Sequence, residues 1–440
     1  GVNEPLGNKL LNFIQNKTCS RFNIDENLNI YDKTHNVFMY ENLEEEINFF
    51  YQSILEKTHR YPFICIYGIG NALLIKNLSK HYKHLFVFES EIELFILALS
   101  TIDLSEELCS GKIYLVDIEE ERVDIQLLIL FDMKDMFEYL SLYEMFVNNV
   151  YCKKFYEDIW HKADELCEKN IKVVIRNLNS SLCIGFECYS HLLQNIPSML
   201  ESIPFQRILS QRKNKFDNAI VVSAGPSLAK QLPLLKAYQD KAVIFCADGA
   251  LSMLEKKGIV PDYVLNIDFK DHAMKFFQNK ENLKQSIIAL ECATHPNVAR
   301  SLNAENCMIV LRNKALYQRF NFNDFGYIDT GTHVSHFSYT LALALGFKNI
   351  IMIGQDLAFD EEGNSHSKGF DFGEKFEEKK YKLKIPAYAG KGEVLTHTTW
   401  NDYRIKLEYL FACNDQKAKF YNATEGGARI NFTEELSFKE

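Results

Sequence analysis

The residues best suited to chemistry in this 440-residue chain fall in its second half. Gly225-Pro226-Ser227 follows an apolar run and opens a helical one. Free backbone N–H groups at such a start, with the positive end of the helix dipole, favour a phosphate or carboxylate. Proline presets the first turn, and Ser227 can either cap it or touch a ligand. The tripeptide also reads as a plain capped turn between a strand and a helix. Asp329-Thr330-Gly331-Thr332 enters a second helix, expected over 333–345. Two hydroxyls and a glycine there suit an anion or a ribose, and an ordinary cap is the other reading. Neither segment is a P-loop, because the GxxxxGK[ST] spacing is absent.

Asp248, Asp268, Asp271 and Asp356 each follow a strand-like run. Carboxylates so placed can hold ribose hydroxyls, hold a divalent metal or act as a base; singly, each also reads as a helix cap. Asp268-Phe-Lys-Asp271 lacks the DxD spacing of a metal-binding pair, so no metal is expected. Of the twelve histidines, His333, His336, His366 and His397 lie near or after these polar clusters. Any one of them also reads as a structural or surface residue. His366 sits in a polar, glycine-containing stretch, 362–369, that reads as a mobile loop. His397 stands just before a helix. Both are places from which a closing loop could deliver an acid or base.

The elements that must carry these residues are short apolar strands alternating with helices. From residue 216 onward, Ala219–Val222, Ala242–Cys246, Tyr263–Ile267 and Asn349–Ile353 read as strands, each ending in a polar cluster. Residues 286–290 and 308–311 add two more. Strands separated by 10–15-residue helices predict a mostly parallel sheet with helices on both faces, and ligands beyond its carboxyl edge. The first half carries a weaker version. Phe63–Tyr67 runs into Gly68-Ile69-Gly70, a helix, then Leu85–Phe88 ending in Glu89, and later Ile113–Val116 ending in Asp117. That is the spacing of a nucleotide-binding βαβ unit, although a tight strand-to-helix turn needs glycine in any case. A methyltransferase site on Gly68–Gly70 and Glu89 is a distant alternative. Lys172–Ile175 reads as a further strand. The fold class is therefore α/β, with two Rossmann-like domains, 1–205 and 206–440.

Composition narrows the function. A formal charge of −10 argues against a chain that grips nucleic acid or anionic membrane over most of its surface. Eleven cysteines include no CxxC pair, which points to free thiols in a reducing compartment. The longest apolar runs, 127–131 and 341–347, are far short of the ~18 residues of a membrane span. No signal peptide is visible at the N-terminus. A cytoplasmic location with no membrane span is the expectation.

As a set, Val221–Leu228 (VVSAGPSL), Cys246–Gly249 (CADG), Val260–Asp268 (VPDYVLNID), 330–346, Ile353–Phe359 (IGQDLAF) and Asn422–Ala428 (NATEGGA) resemble the motility-associated factor family, flagellin glycosyltransferases of the domain-of-unknown-function 115 class. The resemblance spans about 216–435. It implies transfer of pseudaminic or legionaminic acid, both nonulosonic acids, from a CMP-linked donor to flagellin Ser/Thr hydroxyls in the cytoplasm, without a cofactor. It also implies a catalytic domain similar to bacterial sialyltransferases, with a GT-A-like sheet and no essential metal, and an accessory domain over 1–205. By that likeness Gly225, Pro226 and Ser227 stand at the nucleotide. Asp248 and Asn266 hold donor groups, with Asp268 beside them. Thr330, Gly331 and Thr332 form a helix start, Gly354, Gln355 and Asp356 meet the cytidine ribose, and His397 matches the base, with His366 as its rival. Ala224 and Asp248 replace the asparagines of the sialyltransferase pattern. The competing expectations are an ATP- and magnesium-dependent diphosphokinase of the hydroxymethylpterin type, with Asp248, Asp268 and Asp271 on the metal, and a flagellin-binding chaperone without turnover.

Overall fold

A computed structural model describes residues 4–133, 136–178, 182–278, 283–368, 370 and 383–440. The chain divides into two compact units, Gly1–Asn179 and Ser180–Glu440. The second begins earlier than the expected 206. Its first helix, Leu182–Glu201, buries Leu192 and Met199 in the second core, and Asn195 donates to the carbonyls of Cys292 and Thr294 at 3.0 and 2.7 Å.

In the first unit a small antiparallel sheet, β1 (Phe22–Ile24), β2 (Ile30–Asp32) and β3 (Val37–Phe38), precedes four parallel strands. These are β4 (Phe63–Tyr67), β5 (His84–Glu89), β6 (Ile113–Asp117) and β7 (Met145–Val147), in the order β6-β5-β4-β7. The expected strand at 172–175 is instead part of the helix Glu157–Leu178. Its apolar residues continue a helical period, with Ala163, Cys167, Ile171 and Val174 all buried, and that period overrides the local β-branched run.

The second unit is built on β8 (Asn218–Val222), β9 (Val243–Ala247), β10 (Tyr263–Asn266), β11 (Ile287–Glu291), β12 (Cys307–Val310) and β13 (Asn349–Ile353). The antiparallel pair β14 (Leu383–Pro386) and β15 (Glu393–Thr396) lies outside the main sheet, which β16 (Lys419–Asn422) and β17 (Glu434–Glu435) complete. All eight strands of the main sheet are parallel, in the order β12-β11-β10-β9-β8-β13-β16-β17. Side chains alternate between two cores, as period-two strands buried on both faces must. Ile220, Val222, Ile244, Cys246 and Ile288 face the helices Leu228–Tyr238 and Asp248–Glu255; Ala219, Val221, Phe245, Leu265 and Met352 face Val334–Ala344 and Thr398–Ala412.

The strand order sets where a ligand can sit. From β8 the chain moves outward through β9 to β12, then returns to place β13 on the other side of β8. The helix Leu228–Tyr238 after β8 and the helix Thr398–Ala412 that follows β13 by way of β14 and β15 lie on opposite faces, and the crevice between the carboxyl ends of β8 and β13 is the usual ligand position in an open parallel sheet.

Candidate functional site

A cavity of about 300 Å³ opens at that switch point. Ser223, Ala224 and Gly225 line it from the end of β8, Asp248 from the end of β9, and Gly354 to Leu357 from the end of β13. Three of the sequence motifs thus converge. Gly225 and Gly354 make the convergence possible: the Gly225 amide donates to the Gly354 carbonyl at 2.8 Å, and a Cβ on Gly225 would run into that carbonyl and the Asp356 carboxylate. The fourth motif backs the site, with the Ala428 amide donating to the Asp356 carbonyl at 2.7 Å and Gly427 tight against the Asp356 backbone.

Asp356 is 4% exposed. Its carboxylate accepts from Ser227 Oγ at 2.8 Å and from the Ser227 amide at 3.2 and 3.3 Å. The anion expected on the Gly225–Ser227 turn is therefore an internal one. Ser227 orients Asp356 and does not line the cavity; neither does Pro226. Burial pushes the Asp356 carboxyl up to about 7, against the Ser227 hydrogen bonds, which favour its ionised form. Gln355 is fixed beside it: its Oε1 accepts from Ser223 Oγ at 2.9 Å and from the Tyr339 hydroxyl at 3.3 Å.

Asp248 is the second buried carboxylate. It accepts from Asn266 Nδ2 and from the Gly249 amide at 2.6 Å, and burial pushes it, too, up to about 7. Asn266 is fully buried behind it and also accepts from the Asp268 amide at 3.2 Å, so it positions both aspartates. Asp268 lines the cavity and pairs with His272 at 2.7 Å. Asp271 faces away, toward His295 at 3.3 Å and Asn297 at 2.9 Å. Among the described residues no three His, Cys, Asp or Glu side chains come together as a metal site.

The segment Thr330-Gly331-Thr332 does not line the cavity; the next residue does. His333 caps the helix Val334–Ala344, its Nδ1 accepting from the His336 amide at 3.3 Å. Thr332 Oγ1 is held by Lys406 at 2.8 Å. His366 lines the cavity, 2.8 Å from Ser365 Oγ and stacked on Phe370 at 4.1 Å. The loop expected to be mobile is docked, with the Ser367 amide donating to the Ala224 carbonyl at 3.0 Å; Gly369 lies outside the described residues. His397 does not line the cavity. It caps the helix Thr398–Ala412, accepting from the Trp400 amide at 3.3 Å, and packs behind the Trp400 ring, which does line it.

His272, Phe276, His333, Trp400 and Tyr403 join the wall without having been assigned to it by sequence. Two of them carried a legible signal: Asp268 and His272 are spaced i,i+4, and His333 with His336 has the spacing of a side-chain cap. The described lining contains no lysine or arginine. Anionic groups of a ligand would be met by imidazoles and the helix start at Val334.

The corresponding switch point of the first unit, between β4 and β7, is filled by the chain itself. Cβ atoms on Gly68 and Gly70 would strike Cys152 and the Tyr40 hydroxyl, and Asn148 donates to the Gly68 carbonyl at 2.9 Å. Glu89 spends its carboxylate on the amides of Ile69, Ser90 and Glu91. These contacts occupy the place that the methyltransferase alternative required.

Fold and crevice define the second unit as a Rossmann-type parallel α/β domain with its cleft at the topological switch point. Residues 190–362 match the family model described as 6-hydroxymethylpterin diphosphokinase MptE-like. The whole chain shares its fold with the structure of MAf glycosyltransferase from Magnetospirillum magneticum AMB-1, at TM-score 0.53 and 15% identity, covering 100% of this chain and 74% of that one. No curated protein matches the sequence. The matched segment contains the motifs that end β8, β9, β10 and β13, and the fold is shared with a MAf glycosyltransferase, as the motif resemblance implied; neither comparison bears on the sialyltransferase-like core.

Proposed function

We propose that the protein is a glycosyltransferase that moves a nonulosonic acid, pseudaminic or legionaminic, from a CMP-linked donor to Ser/Thr hydroxyls of flagellin. The observation that carries this reading is the convergence of Ser223–Gly225, Asp248 and Gly354–Asp356 on one cavity at the switch point. The MAf glycosyltransferase fold supports the same reading. In it, Asp356 accepts from one ribose hydroxyl, Gln355 donates to the ribose through Nε2, and the start of the helix Val334–Ala344 faces the phosphate. The acceptor oxygen attacks the anomeric carbon, the bond to the phosphate oxygen breaks, CMP leaves, and a base on the open side takes the hydroxyl proton. His366 has the position for that base, and His397 acts through the packing of Trp400. The phosphate is already a good leaving group, so the chain's task is to position the reactants and exclude water. No metal or cofactor enters this scheme.

The diphosphokinase reading fits the geometry less well. It asks Asp248, Asp268 and Asp271 to share a metal, and Asp271 faces His295 and Asn297 instead. The test is to incubate the protein with CMP-pseudaminic or CMP-legionaminic acid and flagellin, and to weigh the flagellin by mass spectrometry. Added nonulosonate mass supports the proposal. Flagellin that binds but gains no mass with either donor would favour the chaperone.

A further inference from the structure

The wall of the cavity contains a hydrogen-bond donor that the fold itself leaves unused. His333 spends Nδ1 as an acceptor, from the His336 amide at 3.3 Å. That bond fixes the tautomer of the neutral ring, so Nε2 carries the proton. Nε2 is buried and has no hydrogen-bond partner. The ring is held in place, tilted against Tyr403 at 4.5 Å and edge-on to His336 at 5.8 Å, and both His333 and Tyr403 line the cavity. Burial, with the nearby charges of His336 and Lys406, pushes the imidazole well below its ordinary range, so it stays neutral.

A buried N–H left unpaired is costly, and such groups in native structures call for an explanation. Here a ligand oxygen can supply the partner. The donor adjoins the start of an eleven-residue helix, Val334–Ala344, which attracts anionic oxygen. The geometry points to His333 Nε2–H as the group that binds an anionic oxygen of the CMP-linked donor, its phosphate or its sugar carboxylate. This rests on the function proposed above. It assigns to His333 two separable roles, a cap through Nδ1 and a ligand contact through Nε2.

Two substitutions separate those roles. His333→Asn keeps an acceptor at the cap position and is too short to supply the outer donor. His333→Gln places an amide donor near the Nε2 position and gives up the cap. Affinities of both variants and the wild type are measured by titration calorimetry with cytidine, CMP and CMP-N-acetylneuraminic acid, alongside melting temperatures. The expected result is a wild-type melting temperature for His333→Asn with about 10- to 100-fold weaker binding of the anionic ligand. His333→Gln should melt lower yet keep more of the affinity than His333→Asn. Loss with CMP assigns the phosphate; loss confined to the CMP-sugar assigns the carboxylate. Unchanged affinity of His333→Asn for both would overturn the inference, as would an equal loss for cytidine, which has no anionic group. If the wild type binds none of the three, the proposed function fails and this inference with it.

Discussion

Ser227→Ala should destabilise the second unit, and more at alkaline than at acid pH. The substitution removes the 2.8 Å bond from Ser227 Oγ to Asp356 and leaves the two longer amide contacts. Asp356 is buried, and its folded-state pKa of about 7 lies above the roughly 3.9 of an unfolded aspartate. Between those values the folded chain holds a proton that the unfolded chain has lost. This group's contribution to stability is therefore full at acid pH, declines as pH rises to about 7, and is constant above. At about pH 8.5 the carboxylate is ionised, and losing a hydrogen bond to it costs about 1.5–3 kcal/mol. At about pH 5 it is protonated, and the neutral bond is worth about 0.5–1.5 kcal/mol. The difference, about 1–1.5 kcal/mol, equals a further rise of about one unit in the folded-state pKa. Trp160 and Trp400 are the chain's two tryptophans, so in a Trp160→Phe background fluorescence reports Trp400 in the second unit. Urea unfolding at both pH values gives the two differences. Equal losses, or a larger loss at pH 5, would refute the coupling of Ser227 to an ionised Asp356.

Gly225→Ala should abolish CMP binding and lower the melting temperature, because its Cβ meets the Gly354 carbonyl and the Asp356 carboxylate; near-normal behaviour in both assays would mean the turn is looser than described. His397→Ala should cost about 1 kcal/mol in urea unfolding through loss of a helix cap, while a loss of turnover on the order of 10²–10⁴ at unchanged stability would restore the base that the sequence resemblance assigned to it. EDTA should leave transfer to flagellin intact, and activity lost on chelation and restored by magnesium would favour the diphosphokinase.

The strand-end positions of Asp248, Asp268 and Asp356 were legible because each ends a short apolar run, and the parallel sheet followed from strands spaced by helices. The roles of individual residues were less so. Ser227 and Asp356 both read as ligand contacts, but 129 positions of sequence separate two residues that bond each other. Sequence spacing carries no sign of a pairing made by the fold. His397 precedes a helix, which is equally the place of a cap, and the cap is what its Nδ1 makes. The strands β7, β16 and β17 are two to four residues long, too short for a periodicity to stand out. The filled switch point of the first unit depends on Tyr40, Asn148 and Cys152, which no local pattern ties to Gly68-Ile69-Gly70.

On the proposed function, the cavity between β8 and β13 receives a CMP-linked donor. A crystal structure of the protein soaked with CMP tests it most directly. The expected result is the nucleotide in that cavity, with ribose hydroxyls on Asp356 and the phosphate toward Val334 at the helix start. CMP bound in the first unit, or a cavity that rejects CMP and takes ATP with magnesium on Asp248 and Asp268, would contradict it.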